Sequence, residues 1–252
     1  MKARNDDPVQ FMIRALVTRP RHEGAALAAL LAKRGIDTII EPLIEITKRA
    51  TALPTLAEVQ AILCTSANGV RVLASESSER GVPIFAVGDA TARAAHETGF
   101  REVESAGGDV GDLARLVCRH LRPEDGKLLH IAGSEVAGDL AATLGIHGFT
   151  LERLVLYDAC AATSLTPAAA RLIEDRQIEL ALFFSPRTAA IFARLVEAAG
   201  VADGLAMTTA LSISPAADAA LATLTFRERA IAAAPTQAAL LALVEQFAGQ
   251  PA

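Results

Sequence analysis

Short apolar runs that stop at a glycine, serine or arginine turn, then give way to an Ala/Leu-rich stretch with helical spacing, recur along the whole chain. Such alternation is the signature of parallel α/β units, because a buried parallel strand is apolar throughout whereas its crossover helix hides one face. The first unit predicts a strand over Arg14 to Thr18, a turn at Arg19-Pro20-Arg21, and a helix with Leu27, Leu30 and Leu31 on one face, closed by Gly35 as a C-cap. The next strand, Thr38 to Ile46, carries Pro42, which has no N–H for a ladder and points to an edge or connecting position. Ala61 to Thr65 then leads into Ser66-Ala67-Asn68-Gly69 and a helix. Ile84 to Val87 leads into Gly88-Asp89-Ala90-Thr91 and a helix ending at Gly99, and Arg101 to Glu104 into Gly107-Gly108 and a helix over Asp109 to His120.

The same order of parts then begins again. Laying Arg14 on Lys127, an offset of 113, places Leu16 on Leu129, Leu27 on Leu140, Leu31 on Leu144 and Gly35 on Gly148. Offset 119 lays Ser66 on Ser185, and offset 126 lays Val87 on Ile213 and Phe100 on Phe226. The offset grows by short insertions, as expected where strands are kept and loops vary. Two similar three-layer α/β domains with parallel, flavodoxin-like sheets are therefore expected, and repeat counting alone cuts near residue 125. Thr38 to Ile46 and Leu151 to Ala159 would join them as a two-strand hinge. Ligands of such sheets bind beyond the carboxyl ends of strands, so a cleft is expected at Thr18 to Arg21, Ser66 to Gly69, Gly88 to Thr91, Ala132 to Glu135, Ser185 to Thr188 and Ser214 to Ala216.

No GxGxxG and no P-loop motif stands at any strand end, so the backbone cradle of a nucleotide site is missing. Asp109, in the nearest glycine cluster, suits a helix cap and would repel phosphate. What the turns share is small residues and helix N-termini, whose N–H groups favour carboxylates or phosphates. Ser66 and Ser185 read either as helix caps or as ligand contacts, and one role does not exclude the other. Neither has a His in its own motif, so nothing marks an acyl-transfer triad. Arg19, Arg21, Arg71, Arg93 and Arg187 lie at or just after the turns, as solvated charge or as bidentate partners of carboxylates. Tyr157, the one tyrosine, ends the second connecting segment and reads either as packing or as a proton or hydrogen-bond donor.

Charge narrows the ligand class. The net charge of −5 leaves no bulk positive field for a nucleic acid's phosphates, and 4% aromatics are too few for a base-stacking platform. Although 52% of residues are hydrophobic, no run of about 18 uncharged apolar residues marks a membrane span. Cys64, Cys118 and Cys160 are far apart without CxxC spacing, and the five His show no paired ligand spacing, so no metal is expected. Met1 to Pro8 holds acid and proline where a signal peptide needs its apolar core, which points to a cytoplasmic protein.

In order, Val17-Thr18-Arg19-Pro20, Cys64-Thr65-Ser66-Ala67-Asn68-Gly69-Val70, Val87-Gly88-Asp89-Ala90-Thr91-Ala92, Val155-Leu156-Tyr157, Phe184-Ser185-Pro186 and Ala234-Pro235-Thr236 resemble the uroporphyrinogen-III synthase family over nearly the whole chain. Ser214 and Ala217 stand where that pattern would show Gly and Thr. The resemblance implies a domain swap, with residues 1–38 and 160–252 in one domain, 47–150 in the other, and 39–46 and 151–159 as connecting strands. It implies cyclisation of hydroxymethylbilane with inversion of ring D and loss of water through an azafulvene and a spiro intermediate, without cofactor or metal. Substrate contacts are then expected at Thr18, Arg19, Thr65, Ser66, Asn68, Gly69, Gly88, Thr91, Gly133, Ser134, Ser185, Pro186, Arg187 and Ser214, with Tyr157 as the proton donor. A monomer that takes its linear tetrapyrrole by transient hand-over from hydroxymethylbilane synthase is expected. A two-lobed binding or regulatory protein that closes on a small polyanion without chemistry is the alternative.

Overall fold

The computed structural model describes residues 13–134 and 139–248, so Met1 to Pro8 and Glu135, the last residue of one expected turn, lie outside the described residues. In chain order the elements are β1 (Arg14–Val17), α1 (Arg21–Ala32), β2 (Asp37–Ile40), β3 (Ile44–Lys48), β4 (Val59–Cys64), α2 (Ala67–Glu76), β5 (Ile84–Ala86), α3 (Asp89–Glu97), β6 (Val103–Ser105), α4 (Val110–His120), β7 (Lys127–Gly133), α5 (Leu140–Gly145), β8 (Leu151–Ala161), α6 (Pro167–Glu174), β9 (Leu180–Phe183), α7 (Pro186–Ala199), β10 (Thr209–Ser212), α8 (Pro215–Ala219), β11 (Glu228–Ile231) and α9 (Gln237–Ala248). They fall into two compact units. One takes the described residues up to Glu45 and from Ala161 onward, the other Ile46–Cys160.

The first unit's sheet runs β11-β10-β9-β1-β2, with all neighbours parallel. Counted along the chain this is the flavodoxin-like order 2-1-3-4-5. Leu16, Ala181 and Phe183 pack under Phe192, Leu195 and Ile173 of α7 and α6 on one face. On the other, Val17 and Leu182 meet Leu27 and Leu31 of α1 and Leu240 and Val244 of α9. The helices thus sandwich the sheet, and each fully buried leucine contributes about 1.5–3 kcal/mol of apolar burial.

The second unit's sheet runs β3-β8-β7-β4-β5-β6, parallel from β8 to β6. Taking β7 as its first strand recovers the same 2-1-3-4-5 order, so the second unit is a circular permutation of the first. Val70 and Leu73 of α2 and Ala95 of α3 cover one face, and Leu113 and Val117 of α4 with Leu144 of α5 cover the other. Offset 113 accordingly lays β1 on β7. Its Leu/Gly pairs perform the same task twice: Gly35 and Gly148 take φ of 73° and 84°, and Ile36 and Phe149 donate N–H to Leu31 and Leu144 O at 3.1 and 3.2 Å. This is a Schellman-type stop that a left-handed glycine permits.

Thr38 to Ile46, expected as one strand, is two: β2 on the edge of one sheet and β3 on the edge of the other. Pro42 lies in the break, where its missing N–H costs no ladder bond. The neighbouring Glu41 is buried, and its carboxylate accepts from the Thr166 N–H at 2.8 Å and from Thr166 Oγ1 at 2.5 Å. Beyond the break, β3 lies beside β8. The Ala162 N–H bonds Leu43 O and the Arg49 N–H bonds Leu156 O, so the two segments run in opposite senses.

Candidate active site

In a sheet of this order the crevice forms where strands leave the first strand in opposite directions. That point lies between β1 and β9 in the first unit and between β7 and β4 in the second. Thr18, Arg19, Ser185, Pro186 and Arg187 flank the first, and Gly133, Ser134, Thr65, Ser66, Asn68 and Gly69 flank the second. Ser214 after β10, and Gly88 with Thr91 after β5, stand one strand further along the same sheet edges.

Locally the serines are caps. Ser66 Oγ accepts from the Asn68 N–H at 3.2 Å, Ser185 Oγ from the Thr188 N–H at 3.1 Å and Ser214 Oγ from the Ala217 N–H at 3.3 Å. Ser185 Oγ also lies 2.9 Å from Thr188 Oγ1. Their lone pairs serve the helices, and the hydroxyl hydrogens of Ser66 and Ser214 can still be turned outward, whereas that of Ser185 is directed to Thr188 Oγ1, which itself donates to Ser185 O at 3.0 Å. By contrast, Gly88 and Pro20 open α3 and α1 without a side-chain cap. Thr18 is fully buried and its hydroxyl donates to Leu182 O at 2.9 Å. Thr91 and Gly69 are buried as well, whereas Ser134, Pro186 and Arg187 are exposed. Asp109 caps α4 in a reciprocal box with Asp112, so the glycine cluster there is a helix start.

Tyr157 reaches the second unit's switch point through a break in register. Ala132 pairs with Val155 but Gly133 pairs with Tyr157, which leaves one extra residue, Leu156, in β8. Strict alternation from Leu154 would send residue 157 to the opposite face. The bulge returns it to the side of Leu154 and Leu156, a re-aiming that bulges commonly perform. The buried ring then passes between Gly69, at the start of α2, and Gly133, at the end of β7. The Ser134 N–H bonds Tyr157 O at 3.0 Å and closes the turn onto β8.

Two residues without a sequence signal complete this point. His130, on β7, is buried, and its Nε2 lies 3.4 Å from Thr65 Oγ1. Burial first, and the Arg153 guanidinium second, push its pKa down to about 4. Neutral at ordinary pH, His130 can donate to Thr65 or accept from it. Arg153 donates to Gly133 O at 2.9 Å and Ser134 O at 3.2 Å, which ties down the turn after β7. At the other switch point Arg19 lies over the Phe184 ring, 4.5 Å from its centroid, and bonds Gln237 Oε1 at 2.8 Å. Among the described residues no cluster of three or more His, Cys, Asp or Glu is placed to hold a metal ion, and no helix is long and apolar enough to cross a membrane.

The model of the family described as "Uroporphyrinogen-III synthase HemD" matches residues 25–242. The chain belongs to the uroporphyrinogen-III synthase family. Members are cyclising lyases of tetrapyrrole synthesis, and the two-sheet α/β architecture above is the family's. A solved uroporphyrinogen-III synthetase from Helicobacter pylori 26695 is similar at 19% identity and TM-score 0.61, over 94% of this chain and 100% of that one. A mutant uroporphyrinogen III synthase from the extremely thermophilic bacterium Thermus thermophilus shares 16% identity over 94% of this chain and 98% of that one, with TM-score 0.49. No curated protein sequence matches the chain.

Proposed function

We propose that the chain closes hydroxymethylbilane into uroporphyrinogen III, with loss of the terminal hydroxyl as water and inversion of ring D, and that the strand-end turns hold the substrate's carboxylates. The observation that carries this reading is the seat of Tyr157, a buried phenol turned by a bulge onto the switch point between Gly69 and Gly133. Departure of the hydroxyl needs one proton and closure of the ring releases one, so a weak donor suffices. The larger demand is to fold a flexible octacarboxylate so that the correct pyrrole carbon attacks, which is catalysis by orientation. Amides at the starts of α2, α3 and α7, with Arg19, Asn68, Ser134 and Arg187, suit that task, while Thr18 supports its strand from inside. The reading extends to a monomer in the cytoplasm that receives its substrate by transient hand-over from hydroxymethylbilane synthase. Three free cysteines, two of them exposed, suit a reducing compartment.

The test gives the purified protein fresh hydroxymethylbilane, oxidises the products and separates the type I and type III porphyrins. Type III is expected to form faster than spontaneous closure gives type I. Type I alone would refute the proposal.

A further inference from the structure

Arg19, Phe184 and Gln237 come from three separate segments: the turn after β1, the residue after β9 and the first turn of α9. They converge at the first unit's switch point, although Arg19 and Gln237 are 218 positions apart. The guanidinium carbon lies over the half-buried Phe184 ring, 4.5 Å from its centroid, and Nη1 donates to Gln237 Oε1 at 2.8 Å. A stacked and edge-bonded guanidinium has lost the rotamer freedom that an exposed arginine must give up on binding. Its neighbours favour anions too, since α7 begins two residues after Phe184 and Thr236 Oγ1 caps α9 by accepting from the Ala239 N–H at 3.2 Å.

We propose that Phe184 and Gln237 are positioning residues that hold Arg19 as a preset, planar receptor for one carboxylate-bearing side chain of the tetrapyrrole. The inference rests on the reading that the turn after β1 contacts substrate, and it adds how that contact is made selective. A planar fork fixed in direction pairs a carboxylate bidentately, which an ammonium on a flexible stem does not. Arg19→Lys therefore behaves like Arg19→Gln rather than like the wild type.

The experiment measures KM and kcat for hydroxymethylbilane, and the affinity for uroporphyrin III by its own fluorescence, in Arg19→Gln, Arg19→Lys, Phe184→Leu, Phe184→Tyr, Gln237→Leu and the double variant Arg19→Gln/Phe184→Leu. Losing a charge-assisted contact raises KM about tenfold with kcat within about twofold. Losing the ring beneath it raises KM about threefold, and Phe184→Tyr restores it. Once Arg19 is gone, the Phe184 change costs nothing more, because the two act as one group. Additive losses, or wild-type KM and affinity in Arg19→Gln or Arg19→Lys, overturn the inference even if Phe184→Leu does not fold. A wild-type protein that makes type III while Arg19→Gln is unaffected overturns this inference alone. One that makes only type I overturns the cyclisation reading and this inference with it.

Discussion

The ring of Tyr157 lies so close over Gly133 that a Cβ built there would stand 2.9 Å from Cε2 and 3.0 Å from Cζ. Ring and glycine face each other across the β7–β8 ladder at the bulge, so neither side can yield without disturbing the other. Gly133→Ala is expected to lower stability by about 1–3 kcal/mol, as overpacking does, and to slow turnover by displacing the phenol. Thermal melting and the rate of type III formation check this. An alanine variant with wild-type melting and rate would mean that the ring is not held there.

Tyr157→Phe leaves the ring seated and removes only the O–H. We expect melting close to that of the wild type and a slower reaction. A positioned general acid contributes about 10² to 10⁴-fold, but this hydroxyl leaves easily and water can replace the donor, so the loss belongs at or below the low end of that range. Unchanged rate and isomer ratio in a folded variant would assign the phenol to packing.

The cysteines separate by burial. Cys64 is fully buried at the end of β4, and burial pushes its thiol up to about 12, so almost no thiolate forms at pH 8. Cys118 and Cys160 are exposed. Native protein treated with iodoacetamide at pH 8 should take two labels, on Cys118 and Cys160, and the third only after denaturation. Peptide mass mapping decides, and Cys64 labelled at the rate of the exposed thiols contradicts the burial.

Much of the architecture is legible in the sequence because paired residues repeat the same task at a fixed offset. Leu31 and Leu144 accept the same helix-ending bond, and Ser66 and Ser185 both cap the helix after the third strand of the 2-1-3-4-5 order. Less legible are features that depend on the third dimension. The break at Pro42 divides what reads as one strand, Thr38 to Ile46, between two sheets, and the Leu156 bulge reverses the face of Tyr157 without any mark in composition. Phe184 and Gln237 matter through a contact with Arg19 that no spacing announces. His130 carries no signal as a metal ligand, and its side chain's reach from β7 to Thr65, beyond the end of β4, is a contact that no spacing marks. The capping roles of the serines are open in the sequence, since a cap and an anion contact call for the same residue at the same position.

His130 supplies a pH signature that can be followed at one residue. Burial, reinforced by the charge of Arg153, lowers its pKa from the ordinary 6.5 to about 4 in the folded protein. Above pH 6.5 the imidazole is neutral in both states and folding gains nothing from it. Between pH 6.5 and 4 the unfolded chain takes up a proton that the folded chain refuses, so stability falls as the pH falls. Below about pH 4 both states are protonated and the loss levels off. The full span is on the order of 3 kcal/mol, from 1.36 kcal/mol per unit of pKa difference. His130→Gln keeps a hydrogen-bonding group near Thr65 and removes the titration. We expect wild-type unfolding free energy to fall from pH 7 to pH 4.5 by about 2 kcal/mol more than that of the variant. The imidazole resonance of His130 in the folded protein should stay flat from pH 8 to about 5.5. A resonance titrating with a midpoint near 6.5, or identical pH slopes for the two proteins, would show that the imidazole reaches solvent and that its bond to Thr65 is not sheltered.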